Sequence, residues 1–119
     1  MGDRVLFQVV STVGNMSPVV YCHWAGYRAP HIVRALKARM VGRPGDVSYA
    51  AARLVQECVS PQPSGNTGFG LWNATTRLTE EDSHGDAGVV LINCDSWQCE
   101  CLGGYLVTGD DGLPEERVA

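Results

Sequence analysis

The chain has 119 residues, 45% hydrophobic and 18% charged, with a formal net charge of −4. That length supports one domain with one core and excludes two sizeable lobes. No apolar run approaches the roughly 20 residues that a membrane-spanning helix needs. The 14 glycines and 6 prolines stay far from a low-complexity composition.

The opening Met1–Phe7 carries neither a long apolar region nor a small-residue cleavage site, so a cytoplasmic protein is expected. In that reducing setting the five cysteines would be thiols or metal ligands rather than bridges. Charge is unevenly divided. Residues 1–60 carry seven basic against three acidic residues, and residues 61–119 carry two against ten. A positive field between Arg28 and Arg53 inside an acidic protein suits a small anionic ligand better than a long nucleic acid. A solvated basic helix face is the plainer alternative.

Arg4–Val13, rich in valine, reads as a first strand and Val19–Trp24 as a second, joined through Gly14-Asn15 as a hairpin. Pro30 suits the first turn of a helix running to about Val41, with Ile32, Val33, Leu36 and Met40 on one face. Asp46 is a good N-cap for a second helix to about Val59. At 100° per residue, Val47, Ala50, Ala51, Leu54, Val55 and Cys58 share one arc of that helix, and Asp46, Tyr49, Arg53, Gln56 and Glu57 the other. Tyr49 and Arg53 are four residues apart, so ring and guanidinium share a patch.

Ser60–Asn66 is a loop by its prolines and glycine. Gly68–Ala74 reads as a strand weakened by two glycines, and Leu78–Gly85 as an acidic surface loop. Gly88–Cys94 is a strand buried on both faces, since Val89–Ile92 is continuously apolar. Gln98–Val107 pairs back with an interruption at Gly103-Gly104. Residues 1–108 thus form a single compact domain, and residues 109–119 an acidic, mobile tail. The fold class is α+β: a small, mostly antiparallel sheet of about four to five strands with two helices packed on one face.

Cys94, Cys99 and Cys101 are spaced C-x4-C-x-C, without the C-x2-C knuckle of a structural zinc site, and no metal is expected. Cys22 and His23 are adjacent on a strand, so their side chains point to opposite faces and make a poor nucleophile–base pair. Gly65–Gly70 lacks the Gly-Lys-Ser/Thr ending of a phosphate loop. The remaining constellation is His23, Trp24, Tyr27, Arg28, Tyr49 and Arg53. Its aromatic faces suit bases and its guanidinium groups suit phosphates, unless the aromatics belong to the core and Arg53 pairs with an acid.

Tyr21-Cys22-His23-Trp24-Ala25-Gly26, a basic helix, Gly45-Asp46-Val47-Ser48-Tyr49 through Arg53-Leu54, and Thr67-Gly68-Phe69-Gly70-Leu71 together resemble a family of small phage and prophage proteins. That family carries a Tyr-x-x-His-Trp-Gly-Gly-like opening, a helix with Asp, Tyr and Arg at matching positions, and a Thr-Gly-Tyr-Gly segment. The likeness covers roughly Val20 to Asp95. Ala25 and Gly45 depart from it, standing where the family has glycine and tryptophan, and the cysteines lie outside its pattern. The resemblance implies a phage setting, hence the host bacterial cytoplasm, and a role as a counter-defence factor.

These features give the expectation of a phage accessory protein that sequesters a small nucleotide-derived immune signal without turnover. Trp24 and Tyr49 would stack on the base or ribose, His23 and Arg53 would hold phosphate with Arg28 and Arg43 nearby, and Asp46 would cap its helix or bind a ribose hydroxyl. No catalytic residue, cofactor or membrane partner is expected, and a pocket shared within a homo-oligomer would supply enough walls. The alternatives are a protein–protein inhibitor that uses the acidic half as a nucleic-acid mimic, and a small nucleotide hydrolase using His23.

Overall fold

The computed structural model describes residues 2–60 and 68–117. In chain order the elements are β1 (Val5–Val10), β2 (Val19–Cys22), α1 (Ala29–Arg39), α2 (Val47–Val59), β3 (Phe69–Trp72), β4 (Gly88–Asn93), β5 (Cys99–Leu102), β6 (Leu106–Thr108) and β7 (Pro114–Glu116). Short 3₁₀ turns occupy Gly26–Arg28 and Glu80–Asp82. Beyond Ser60, the loop expected over Ser60–Asn66 lies outside the described residues. Among the described residues no helix is long and apolar enough to cross a membrane.

The main sheet has the order β3-β2-β1-β4-β5, and β6 and β7 form a separate ribbon. The fold is α+β, and its sheet is mostly antiparallel. The exception is the central pair: β1 runs parallel to β4, from Val5 beside Gly88 to Val10 beside Asn93. Strands at the middle of a sheet covered on both faces are apolar throughout rather than alternating. That accounts for two runs in which every β1 residue, and Gly88 to Ile92 of β4, are buried.

One face of the sheet presents Val5, Phe7, Val9, Val20, Val90 and Ile92 to both helices. From α1 come Ile32, Val33 and Leu36, and from α2 come Ala50, Leu54 and Cys58, all fully buried. The opposite face, with Leu6, Val10, Val19, Val89 and Leu91, carries no α-helix among the described residues and is covered by Leu78, Met16 and Ala74. The long connection between β3 and β4 therefore serves as a third layer.

The strand boundaries have identifiable physical causes. β1 stops at Val10 because Gly14, at φ +96°, closes a turn in which its N–H bonds the Ser11 carbonyl. The interruption expected at Gly103-Gly104 is present, with Gly103 at φ +71°, but β6 beyond it pairs with β7 instead of continuing the pairing with β4. Gly88 starts β4 at φ +98°, where a Cβ would lie 2.4 Å from the Leu102 carbonyl oxygen.

The expectation of a mobile tail from Gly109 is corrected as far as Arg117. The chain turns at Gly109–Gly112, buries Leu113 and Pro114, and returns as β7. Arg34 of α1 fixes it there, donating to the Pro114 carbonyl at 3.2 Å and to Asp111 at 3.0 Å.

Candidate functional site

The connection between α1 and α2 is built by glycine. Gly42 and Gly45 adopt φ +86° and +73°, and the Gly45 N–H bonds the Cys94 carbonyl at 3.1 Å, tying this corner to the C-terminal end of β4. Asp46 then caps α2, its Oδ1 accepting from the Tyr49 N–H at 3.2 Å, while its Oδ2 meets the Arg43 guanidinium at 3.1 Å.

Above this cap the Arg43 guanidinium carbon lies 3.9 Å from the Tyr49 ring centroid, and that of Arg53 lies 5.5 Å away. Tyr49 is 49% exposed. A guanidinium lying on a ring gains cation–π attraction and keeps its N–H edges free to point sideways at an anion. Arg53 donates to the Arg39 carbonyl at 2.9 Å and approaches the Met40 sulfur at 3.3 Å, and among the described residues it meets no carboxylate. Arg39 is itself held by Glu57 and Gln56. The first turn of α2 adds the positive end of its dipole. The corner thus joins Arg43, Asp46, Tyr49 and Arg53 into one ring-bearing surface, on which Asp46 pairs with Arg43 and the Asp95 carboxylate stands beside Gly45.

His23 and Trp24 are not part of it. They follow β2 at the end of the sheet where β1 begins, and the Asp3 N–H bonds the His23 carbonyl at 2.8 Å. α2 runs from one end of the sheet to the other, and its 13 residues span about 20 Å at 1.5 Å per residue. Arg28 occupies the far end of that helix, donating to the carbonyls of Glu57 at 3.0 Å and Cys58 at 3.3 Å. It satisfies carbonyls left unpaired at a helix C-terminus and complements the dipole there. The seven residues expected to form one site therefore separate into the α1–α2 corner, the His23–Trp24 pair and a structural Arg28.

Around His23 is a group of rings that the sequence reading did not assemble. The Tyr21 hydroxyl lies 2.6 Å from His23 Nδ1, and the His23 and Trp24 rings meet edge to face at 4.6 Å. Tyr21 also packs against Trp72 at 5.8 Å and His84 at 5.5 Å. Tyr21 and His23 share a face by strand alternation, a signal present in the sequence. Trp72 and His84 join them only through tertiary pairing.

Four of the five thiols are poor nucleophiles. Cys22, Cys58, Cys94 and Cys99 are buried and Cys101 is half-buried. Hydrogen bonding with Cys22, then burial, raises the Cys58 thiol, and burial pushes Cys99 up to about 12. Burial also raises Cys94 and Cys101, so none of these four thiols is a ready thiolate at neutral pH. Among the described residues no three His, Cys, Asp or Glu side chains converge as a ligand set for a metal ion. A shallow groove of about 290 Å³ between α2 and β3 is lined by Val20, Val55, Val59, Phe69 and Leu71, among others, and offers little to orient a polar ligand. No family model, curated protein or solved structure matches this chain.

Proposed function

We propose that the protein binds a small anionic ligand with an aromatic base, of the nucleotide-derived class, at the corner between α1 and α2. The observation that carries this reading is the half-exposed Tyr49 ring with guanidinium groups at 3.9 Å and 5.5 Å from its centroid. Phosphate oxygens would bridge the N–H edges of Arg43 and Arg53, and the base would lie against the exposed part of Tyr49. The corner offers binding groups and no nucleophile–base pair, which supports retention of the ligand without turnover. The resemblance to phage proteins adds the biological sense: a phage protein of this kind would sequester a nucleotide immune signal of its host. His23 and Trp24, at the far end of α2, could reach this ligand only from a second copy in a homo-oligomer.

The test is calorimetric titration with a panel of linear and cyclic mono- and dinucleotides, followed by chromatography of the recovered ligand. At least one nucleotide should bind stoichiometrically and return intact, and Tyr49→Ala and Arg53→Ala should each weaken binding tenfold or more. Binding that ignores both substitutions, or a cleaved product, would overturn the proposal.

A further inference from the structure

The two edges of the main sheet are finished differently. At the β5 edge the chain covers its own backbone: the Cys99 N–H bonds the Gly112 carbonyl at 2.8 Å, and the Cys99 carbonyl accepts from the Thr108 hydroxyl at 3.0 Å. At the other edge, β3 has β2 on one side and no strand on the other among the described residues. Register decides which of its groups are left over. The His23 N–H bonds the Gly68 carbonyl at 2.8 Å, and Tyr21 stands opposite Gly70. Backbone groups alternate in direction along an antiparallel strand. Gly68, Gly70 and Trp72 therefore turn toward β2, and the N–H and C=O of Phe69 and Leu71 point outward.

The edge strands of monomers are commonly blunted by a charged side chain, a proline or a bulge. β3 reads Phe-Gly-Leu-Trp and has none of these, and its Leu71 is 59% exposed. Beside Leu71, toward α2, lies a hollow of about 120 Å³ walled by uncharged residues, Pro18, Val20, Ala51, Ala52 and Val55.

We propose that β3 pairs antiparallel with β3 of a second copy, joining the two sheets into one across a two-fold axis. The outward N–H and C=O groups are matched as a set only by another extended backbone. A two-fold axis normal to the sheet through Leu71 sets its N–H and C=O against the same groups of the second Leu71, and keeps the helix-bearing faces on one side. The two leucine side chains then cover the hollows beside the two α2 helices. The contact is uncharged on both sides, so two copies oppose no like charges there, whereas a charged segment of another protein would leave its water without a counter-charge. Because the β5 edge is closed by its own chain, pairing at β3 stops at two copies instead of running on as a filament.

Sedimentation of the whole chain provides the test. The wild type should run as a dimer at about 100 μM, where mass action favours association. Leu71→Pro removes an outward N–H and leaves the bonds to β2 in place, and Leu71→Lys supplies the missing charge. Each should weaken the dimer tenfold or more with an unchanged far-ultraviolet circular dichroism spectrum. Leu71→Cys, which brings two thiols together at the axis, should give a covalent dimer in oxidised glutathione. Val41→Cys, 86% exposed at the α1–α2 corner, should not. A wild type that stays monomeric at this concentration, a dimer that survives both Leu71→Pro and Leu71→Lys, or equal cross-linking of the two cysteine variants would overturn the proposal. Tyr49 and Arg53 lie on the opposite side of α2 from Ala51 and Val55, so the inference does not rest on nucleotide binding and either can fail without the other.

Discussion

The side-chain amide of Gln8 and the backbone of Leu78 meet in the interior of the protein, where Gln8 Oε1 accepts from the Leu78 N–H at 2.8 Å. Gln8 is fully buried on the central strand, and its Nε2 also donates to the carbonyls of Ser17 and Thr76 at 3.3 Å. One side chain thus pins the connection that covers the second face of the sheet. Gln8→Leu removes all three bonds and strands the Leu78 N–H out of water, at a cost of about 2–4 kcal/mol. Urea unfolding measures it, and a loss near zero would show that the connection is held by apolar contact alone.

The cap of α2 has two functions that substitution can separate. Asp46→Ala removes the acceptor for the Tyr49 N–H and should cost about 1 kcal/mol. Asp46→Asn keeps the acceptor and loses only the exposed ion pair with Arg43, so it should fall within ~0.5 kcal/mol of the wild type. Thermal unfolding of the two variants decides which function matters.

Arg28 was expected to help hold phosphate, and its bonds to the Glu57 and Cys58 carbonyls make it a helix-terminal residue instead. Arg28→Ala should lower stability by roughly 1 kcal/mol. Nucleotide affinity at the α1–α2 corner should stay unchanged. A tenfold loss of affinity in a folded variant would return Arg28 to the binding site.

Asp86 and Tyr105 are two of the groups that make stability depend on pH. The Arg4 guanidinium, bonded to Asp86, holds that carboxyl below the usual carboxylate range. The unfolded chain therefore takes up this proton first as pH falls, so the contribution of Asp86 is present above the ordinary carboxylate pKa near 4 and is lost through its lower folded value. Burial, then the hydrogen bond to Asp3, raises the Tyr105 phenol. Its contribution is present below the ordinary tyrosine pKa near 10 and is lost as pH rises through the higher folded value. In unfolding free energy measured against pH, Arg4→Ala should flatten the acid limb and Tyr105→Phe the alkaline limb. Unchanged slopes would refute each assignment separately.

Local chemistry made the helices legible. Pro30 opens α1 in its first turn, Asp46 caps α2 as its position before an amphipathic run implied, and Ala50, Leu54 and Cys58 lie inside as their spacing required. Tyr49 and Arg53 share a patch because four residues separate them on that helix. Arg43 could not be placed on the same ring from sequence, since its position depends on two glycines with positive φ and a tie to Cys94. The end of the chain was misread for a similar reason: Pro114 and four acids resemble a solvated tail until Arg34, some 80 residues earlier, is seen to hold them.

The sequence by itself determined the class of fold, the two helices with their buried faces, and the strands whose apolar runs identify them as central, because each rests on periodicity or capping within a dozen residues. Only the tertiary structure decided that β1 and β4 run parallel, that His23 and Trp24 stand a helix length from Tyr49, and that Trp72 and His84 gather around Tyr21. Those relations join residues tens of positions apart through strand register and helix direction, which no local pattern encodes.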